Sequence, residues 1–432
     1  MTAETVRRCL RLACATGLLV SLAVGCGSGR RDTIRIGVYG DCYGPFPAFT
    51  EQAEAGADLS FIRRGAKANG PKPSDGVSAI TVAGRRVELV LGCDLYRSHT
   101  SSLAMARRLV EQQGADIVVT PDDVPDDDVA ALYAPQQPGV AFISTGLSPM
   151  PRVGRNVFRV APDDRQLQAG LGAYAFHTLG WRTAAVVEED DPNGYGQSAG
   201  FIAEFCSLGG AIVQRQWGPG TSIDWPRVVR RLPRNVDGVV LMTGIASTKG
   251  FFARYGRHQS DVGKRVVMSA EPLTLGDRPP AGVMVTGPPF TSNDPAWRAY
   301  LEAGRAAFPR YSANLGEPAD LDDYDAVELA LEALRRVHGD MSHGEKRFMA
   351  ALTSLRLQTP VGVVRVDRHH QAVVPDFLSR VEQGPNGTVV LHTVRTVRNV
   401  ESTFGGYFTP TSPLDSRTQP VCRKGHVPTW AR

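Results

Sequence analysis

The sequence predicts an α/β protein in which two lobes, each a doubly wound parallel sheet, account for most of the chain. Three observations lead to this prediction. The chain has 432 residues, which is too many for one hydrophobic core. Short apolar segments alternate with helical segments, a pattern typical of βαβ units. The alternation pauses after Arg159 and then begins again, which indicates two successive sheets.

The N-terminus has the features of an export signal. Three arginines, Arg7, Arg8 and Arg11, precede an apolar stretch at 12–24. This stretch is shorter than the roughly 20 residues that a membrane-spanning helix needs, and it has the length of a secretory h-region. We therefore expect a signal peptide at 1–25.

The signal ends in Leu22–Cys26, which resembles a bacterial lipobox. That resemblance implies lipidation of Cys26 and attachment to the outer face of the bacterial cell membrane. Ala23 departs from the leucine that is usual at its position, and an ordinary signal peptide with an unmodified cysteine is the alternative. The small polar run at 26–32 suits a flexible tether.

The charge of the chain argues against nucleic acid as a partner. The net charge of +4 includes +2 from the leader, so the mature chain carries only about +2. Its basic residues are spread out and form no stripe. The sequence contains no P-loop and no dinucleotide glycine fingerprint, and we expect no cofactor.

The elements follow one another in regular order. Before Arg159 the alternation comprises strands at 33–39, 86–91 and 116–120, helices at 48–68 and 101–113, and further segments at 129–133 and 140–144. After Arg159 it comprises helices at 166–179 and 197–208 and strands at 183–187, 211–214, 238–242 and 265–269. The stretch at 401–432 is rich in Thr, Pro and Gly, so we expect an irregular C-terminal tail.

Four cysteines besides Cys26 remain in the mature chain, a number compatible with two disulfides in an exported protein. Cys42 and Cys93 each follow a predicted strand, so neighbouring strands would bring them together. Cys206 with Cys422 follows by elimination, and two free thiols are the alternative for that pair.

Several short motifs, taken in order, resemble the leucine/isoleucine/valine-binding-protein-like family of type I periplasmic binding proteins, the substrate-binding components of ABC transporters. The motifs are distributed over 33–380. They are Ile34–Val38, Gly44–Phe46, Val87–Leu91 with Asp94, Phe158–Asp164, Gly194–Gly196, Tyr324–Val327, Thr359–Gly362 and Val364–Asp367.

The resemblance implies two lobes joined by three hinge crossings, with 33–160 plus 289–357 in the first lobe and 161–288 plus 358–400 in the second. It also implies a monomer that captures a small ligand by lobe closure and delivers it to ABC permease subunits, without enzymatic activity. Ligands of open α/β sheets bind outside the carboxyl ends of the strands, which agrees with this reading.

Ligand contacts are expected in the loops after strands. The resemblance places Glu271 on a ligand ammonium group and Tyr195 against the ligand as an aromatic wall. In the first lobe, hydroxyls and an amide are offered by Ser144, Thr145 and Gly146. Tyr43 and Phe46 are candidates for the opposite wall.

One loop departs from the family pattern. Amino-acid binders have small hydroxyl residues after the third strand, whereas this loop contains Asp122 and Asp123. Carboxylates there would repel the carboxylate of an amino acid. We therefore expect a ligand other than a plain branched-chain amino acid: cationic, hydroxylated or amide-like.

Two other functions are alternatives. The same cleft would serve equally well in a receptor module that signals ligand to a membrane partner. A hydrolase is the remote alternative, because 196–200 fits G-x-S-x-G, but Ser198 falls inside a predicted helix rather than on a strand-to-helix elbow.

No metal site is expected. His369 and His370 are adjacent, so they point to different sides and fit a solvated turn. Acidic runs at 126–128 and 320–325 lie near predicted helix starts, where acids are favoured without a metal.

Overall fold

The computed structural model describes most of the chain from residue 32 onward. The described ranges are 32–42, 47–94, 99–120, 129–149, 154–220, 222–244, 246–257, 261–274, 276–287, 294–310, 318–342, 346–384 and 387–432. None of the helices in these ranges is long and apolar enough to cross a membrane.

Fifteen strands in the described residues form two sheets, one in each lobe. They are β1 Thr33–Asp41, β2 Ile80–Val82, β3 Arg85–Asp94, β4 Ile117–Thr120, β5 Ala141–Ser144, β6 Val157–Arg159, β7 Thr183–Glu189, β8 Ala211–Gly218, β9 Gly238–Met242, β10 Val266–Ser269, β11 Met284–Gly287, β12 Arg356–Thr359, β13 Gly362–Val366, β14 Ala372–Gln383 and β15 Val389–Glu401.

The main helices lie between and after these strands. They are α1 Pro47–Ile62, α2 His99–Arg107, α3 Pro192–Ser207, α4 Trp225–Arg231, α5 Lys249–Tyr255, α6 Pro295–Ala307, α7 Pro318–Arg336 and α8 Lys346–Ser354. Shorter helical turns occupy 108–112, 129–133, 171–178, 262–265 and 271–274. Segment 129–133 is therefore helical, and segment 141–144 is a strand.

The first lobe is built on a six-stranded sheet in the order β2-β3-β1-β4-β5-β6. The pairs β1–β4, β4–β5 and β5–β6 are parallel, and β2 and β3 form an antiparallel pair at one edge. Apolar side chains of β1, β4 and β5 pack with α1 and α7 in one buried core. Helices α1 and α7 approach each other so closely at Gly56 that an added Cβ there would lie 1.9 Å from the carbonyl oxygen of Asp320.

The second lobe is built on a nine-stranded sheet whose parallel part runs β8-β7-β9-β10-β11. Antiparallel strands extend it: β14 pairs with β11, β13 and β15, and β12 pairs with β13. The prediction of two parallel-sheet lobes is confirmed. The antiparallel extension was not predicted, because 372–401 lacks the helices that mark a βαβ unit.

The first crossing between the lobes is held by a buried ion pair. Arg159 is fully buried, and its Nη2 donates to Asp163 Oδ2 at 3.0 Å while its Nε donates to Gln371 Oε1 at 3.1 Å. On the first-lobe side, the amide of Val160 donates to the carbonyl of Ser144. These bonds tie the crossing to the end of β5 and to the turn before β14.

The C-terminal tail, residues 402–432, consists mainly of turns and bends and is firmly attached to the second lobe. Phe404, Tyr407, Phe408 and Trp430 pack into a buried cluster with alanines of α3. The indole Nε1 of Trp430 donates to Glu204 at 2.8 Å. Both predicted cysteine pairs are bonded, Cys42 to Cys93 and Cys206 to Cys422, and the second bond joins the tail to α3.

Candidate ligand-binding site

Three residues at the carboxyl ends of parallel strands in the second lobe meet at one edge of its sheet. Glu189 ends β7, Gly244 follows β9 and Glu271 follows β10. A Cβ on Gly244 would lie 3.1 Å from Glu271 Oε2 and 3.3 Å from Glu189 Oε2. Parallel strands bring their carboxyl ends to the same edge, which is where ligands bind in open α/β sheets. The two carboxylates therefore flank a glycine that leaves room between them.

Helix α3 adds two amide side chains to this edge. Asp191 caps the helix by accepting a hydrogen bond from the amide of Gly194 at 2.9 Å, with Pro192 in the first turn. Gln197 Nε2 donates to Asn193 Oδ1 at 2.7 Å and to Glu271 Oε2 at 2.5 Å. The cap thus sets the direction from which both amides reach the strand ends.

Asp164 completes the group from the first crossing. Its Oδ1 accepts a hydrogen bond from Asn193 Nδ2 at 3.4 Å, and its amide donates to the carbonyl of Leu147 at 2.8 Å. Leu147 belongs to the loop that follows β5 of the first lobe, so Asp164 touches both lobes. We refer to Asp164, Glu189, Asn193, Gln197 and Glu271 as the acidic cluster.

The acidic cluster places three carboxyl groups in a shielded position. Asp164, Glu189 and Gln197 are buried, while Asn193 and Glu271 are partly exposed. Burial raises the pKa of Asp164 well above its usual value, and the charge of Glu271 raises that pKa further. An incoming cation would relieve this repulsion, and a buried setting makes such an attraction stronger than at the surface.

The side-chain oxygen of Gln197 lacks a hydrogen-bond donor in the same cluster. Its Oε1 is buried and has no hydrogen-bond partner among the described residues, although its Nε2 donates twice. A buried acceptor without a donor is costly, so the cluster is suited to receive an N–H or O–H group.

Of the predicted ligand residues in the second lobe, only Glu271 lies in the acidic cluster. The hydroxyl of Tyr195 donates to Asp190, which also accepts a hydrogen bond from Arg417 Nε at 2.7 Å. Tyr195 is thereby connected to the C-terminal tail. Its ring remains partly exposed at the start of α3.

The three first-lobe residues form a tight turn after β5. Thr145 Oγ1 donates to the carbonyl of Thr120 at 2.8 Å, and Ser144 Oγ accepts from the amide of Gly146 at 3.0 Å. All three are buried. The turn precedes Leu147 and so lies beside Asp164, but its hydroxyls are already engaged, one within the turn and one with the end of β4.

Five predicted residues lie outside the described part of the chain: Tyr43, Phe46, Asp122, Asp123 and Cys26. Conversely, Glu189, Asn193 and Gln197 were not predicted to lie at the site. The Asp–Pro pair at 191–192 is a helix-start signal that would have placed the beginning of α3 five residues earlier and brought both amides to the strand ends.

The side chains considered for other chemistry have structural partners. Ser198 lies within α3, is fully buried and donates to the carboxylate of Glu188. This is not the exposed strand-to-helix elbow that a hydrolase nucleophile needs. His370 stacks on Phe158 with ring centroids 4.3 Å apart, and its Nδ1 lies 2.9 Å from the carbonyl oxygen of Val157.

The acidic run at 320–325 lies in the first turns of α7, near the helix start as predicted. Its acids are buried there, and Asp320 accepts a hydrogen bond from the hydroxyl of Tyr300 at 2.9 Å. Burial raises the pKa of Asp322 and of Asp325 well above the usual value. Cys42, Glu54 and Cys93 lie close together among the described residues, but the two cysteines form the disulfide already described.

Solved structures share this fold. An ABC transporter substrate-binding protein from Sphaerobacter thermophilus is similar with a TM-score of 0.73 and 21% identity, over 85% of this chain and 99% of that chain. A solute binding protein from Rhodopseudomonas palustris BisB5, in complex with 3,4-dihydroxy benzoic acid, is similar with a TM-score of 0.70 and 18% identity. The match covers 86% of this chain and 98% of that chain. A leucine binding protein from Thermotoga maritima is similar with a TM-score of 0.62 and 18% identity, over 84% of this chain and 99% of that chain.

No curated protein matches the chain in sequence. The sequence model of one family, described as periplasmic binding protein, matches residues 33–386. This range contains both sheets except β15, and it contains the whole acidic cluster. The resemblance inferred from the sequence is thereby confirmed, and the chain belongs to the periplasmic binding protein family.

Proposed function

We propose that the protein is an extracytoplasmic solute-binding lipoprotein of an ABC transporter, which captures a small polar ligand between its lobes and delivers it to the permease. The acidic cluster carries this proposal, because it places charged groups at the carboxyl ends of the strands and beside the first crossing. Lobe closure around a ligand is an established use of this geometry.

The ligand we infer carries an ammonium or other cationic group, as an amino acid, an amide-bearing amine or a related compound would. Glu189 and Glu271 flank Gly244, and Gln197 has a free acceptor atom. The similar Rhodopseudomonas palustris protein holds an aromatic acid and the Thermotoga maritima protein is named for leucine. The carboxylates of the acidic cluster would repel an anion such as the former.

Isothermal titration calorimetry of the purified protein against amino acids, polyamines, amides and benzoates tests this proposal. We expect a cationic or zwitterionic compound to bind, and the Glu271→Gln variant to bind it at least about tenfold more weakly, since a charge-assisted hydrogen bond is lost. Glu302→Gln removes an exposed carboxylate on α6 and serves as the matched control.

Two results would contradict the inference about the ligand. Binding of a benzoate with unchanged affinity in Glu271→Gln would show that the acidic cluster does not contact the ligand. A rise in melting temperature with each of leucine, isoleucine and valine would show that the ligand is a plain branched-chain amino acid.

Lipidation and delivery need separate measurements. Mass spectrometry of the native N-terminus should find a diacylglyceryl group on Cys26, and Cys26→Ser should release the protein from the membrane fraction.

Ligand uptake by cells should require the protein together with a permease. If uptake is unaffected by its loss while a transcriptional response to the ligand disappears, the sensing alternative is correct.

A further inference from the structure

A groove lies between the β12–β13 hairpin and the β14–β15 hairpin of the second lobe. It encloses a volume of about 450 Å³. Arg356 and Gln358 come from β12, and Thr393, Thr396 and Arg398 come from β15. The volume falls within the range of about 300–1,000 Å³ that small-molecule sites occupy.

The groove contains cationic groups that lack partners. Arg356 and Arg398 are both exposed, and neither side chain forms a hydrogen bond or an ion pair with any other residue in the described ranges. The acid that lines the groove among the described residues is Asp294, whose Oδ1 already caps α6 by accepting from the amide of Ala296 at 2.7 Å. The described lining therefore has two unpaired guanidinium groups and one engaged carboxylate.

The register of β12 adds a third cation beside the groove. Arg356 stands directly opposite Arg365 of β13, so the two side chains emerge on the same face of the hairpin. Like charges directly opposite each other destabilise an antiparallel pair. In addition, Nε of Arg365 is buried and has no hydrogen-bond partner among the described residues. This arrangement is unfavourable unless an anion is bound.

We propose that this groove is a second binding site, which takes a small organic anion carrying two or more carboxylate or phosphate groups. Guanidinium groups bind such groups through paired hydrogen bonds, and Arg356 and Arg398 approach from different walls. The hydroxyl of Thr396 supplies a neutral donor, and so does the second N–H of Gln358 Nε2, whose first donates to the carbonyl of Thr359 at 3.3 Å. One anionic group bound at each arginine would offset both unpaired charges.

The groove differs from the acidic cluster in the charge that it selects and in position. Its lining includes the turn between β12 and β13, at Thr359–Gly362. A bound anion would connect that turn to the β14–β15 hairpin. The proposal does not depend on the identity of the ligand at the acidic cluster.

Titration calorimetry with citrate and with pyrophosphate, at constant ionic strength, tests the second site. Direct binding is preferable to thermal melting, because strongly hydrated anions stabilise most proteins without a specific site. We expect saturable binding of at least one probe with a stoichiometry of one. Arg356→Gln and Arg398→Gln should each weaken it by about tenfold or more, and the double variant should abolish it.

Arg231→Gln is the matched control, since Arg231 is an exposed arginine at the end of α4 in the same lobe. It should bind the probe as the unaltered protein does. The proposal is wrong if neither probe binds, if both groove variants bind normally, or if Arg231→Gln weakens binding as much as they do. Circular dichroism of each variant checks that the fold is retained.

Discussion

Arg165 and Asp415 join the first crossing to the C-terminal tail through two hydrogen bonds, from Nε at 2.6 Å and from Nη2 at 2.9 Å. Both side chains are almost completely buried, and the guanidinium also lies 3.8 Å from the centre of the Phe408 ring. The residue that follows Asp164 in the chain is thus fixed by the tail. The tail therefore helps to hold Asp164 of the acidic cluster in place.

Removing the acid of this pair should destabilise the protein. Asp415→Ala leaves the Arg165 guanidinium buried without its acceptor, which costs about 3–5 kcal/mol in comparable pairs. Urea unfolding should show a loss of this order. Arg347→Ala, which breaks an exposed pair with Asp340, should cost less than about 1 kcal/mol. Equal losses in the two variants would contradict the assignment of Arg165 and Asp415 as a structural pair.

The two disulfides should contribute unequally to stability. The Cys206–Cys422 bond closes a loop with a sequence separation of 216, whereas Cys42–Cys93 closes one of 51. In the chain-entropy model the longer loop stabilises by about 1 kcal/mol more. We expect the Cys206→Ala/Cys422→Ala variant to lose more free energy of unfolding than Cys42→Ala/Cys93→Ala. Limited proteolysis should cut its tail first; an intact tail would argue that packing alone holds 402–432.

Asp58 of α1 makes the stability of the first lobe depend on pH. It is fully buried, and neither carboxylate oxygen has a hydrogen-bond partner in the described part of the chain. Burial, and then the charge of Glu54, raise its pKa to about 8, and burial raises the pKa of Glu54 to about 7. The folded state therefore keeps protons that the unfolded chain releases, so the free energy of unfolding falls as pH rises from about 4 to about 8.

Asp58→Asn should remove much of this dependence. At pH 9 the variant should be more stable than the unaltered protein by on the order of 2–4 kcal/mol, because no charge is buried. Urea unfolding at pH 5 and pH 9 measures the difference. Asp261→Asn, at an exposed acid, should leave the pH dependence unchanged. An undiminished loss of stability at high pH in Asp58→Asn would mean that another group is responsible.

If the acidic cluster binds the ligand, a side chain added at Gly244 should weaken ligand binding. The new methyl group in Gly244→Ala would lie 3.1 Å from Asn193 Oδ1 and from Glu271 Oε2. Overpacking of this kind costs about 1–3 kcal/mol, so calorimetry should show ligand affinity reduced by about tenfold or more. Gly218→Ala is the control, because its nearest neighbour is 3.4 Å away. Normal affinity in Gly244→Ala would place the ligand elsewhere.

Local pattern was enough to predict the architecture. The strands at 33–39, 183–187, 238–242 and 265–269 are short apolar runs between helices, and each lies within or overlaps an observed strand. Such buried strands can be recognised because their burial on both faces makes them apolar throughout. Strand β15 was missed because exposed arginines and threonines interrupt its apolar residues at 389–401.

The acidic cluster and the groove required the tertiary structure. Asp164, Glu189, Gln197 and Glu271 are spread over more than one hundred positions, and only the pairing of β7, β9 and β10 brings them together. Similarly, Arg356 faces Arg365 only because β12 and β13 pair in one register. The sequence by itself predicted the two sheets, and it placed Glu271 directly after a strand. The tertiary structure decided which distant side chains share a site, because strand register and helix caps act over distances that no local pattern records.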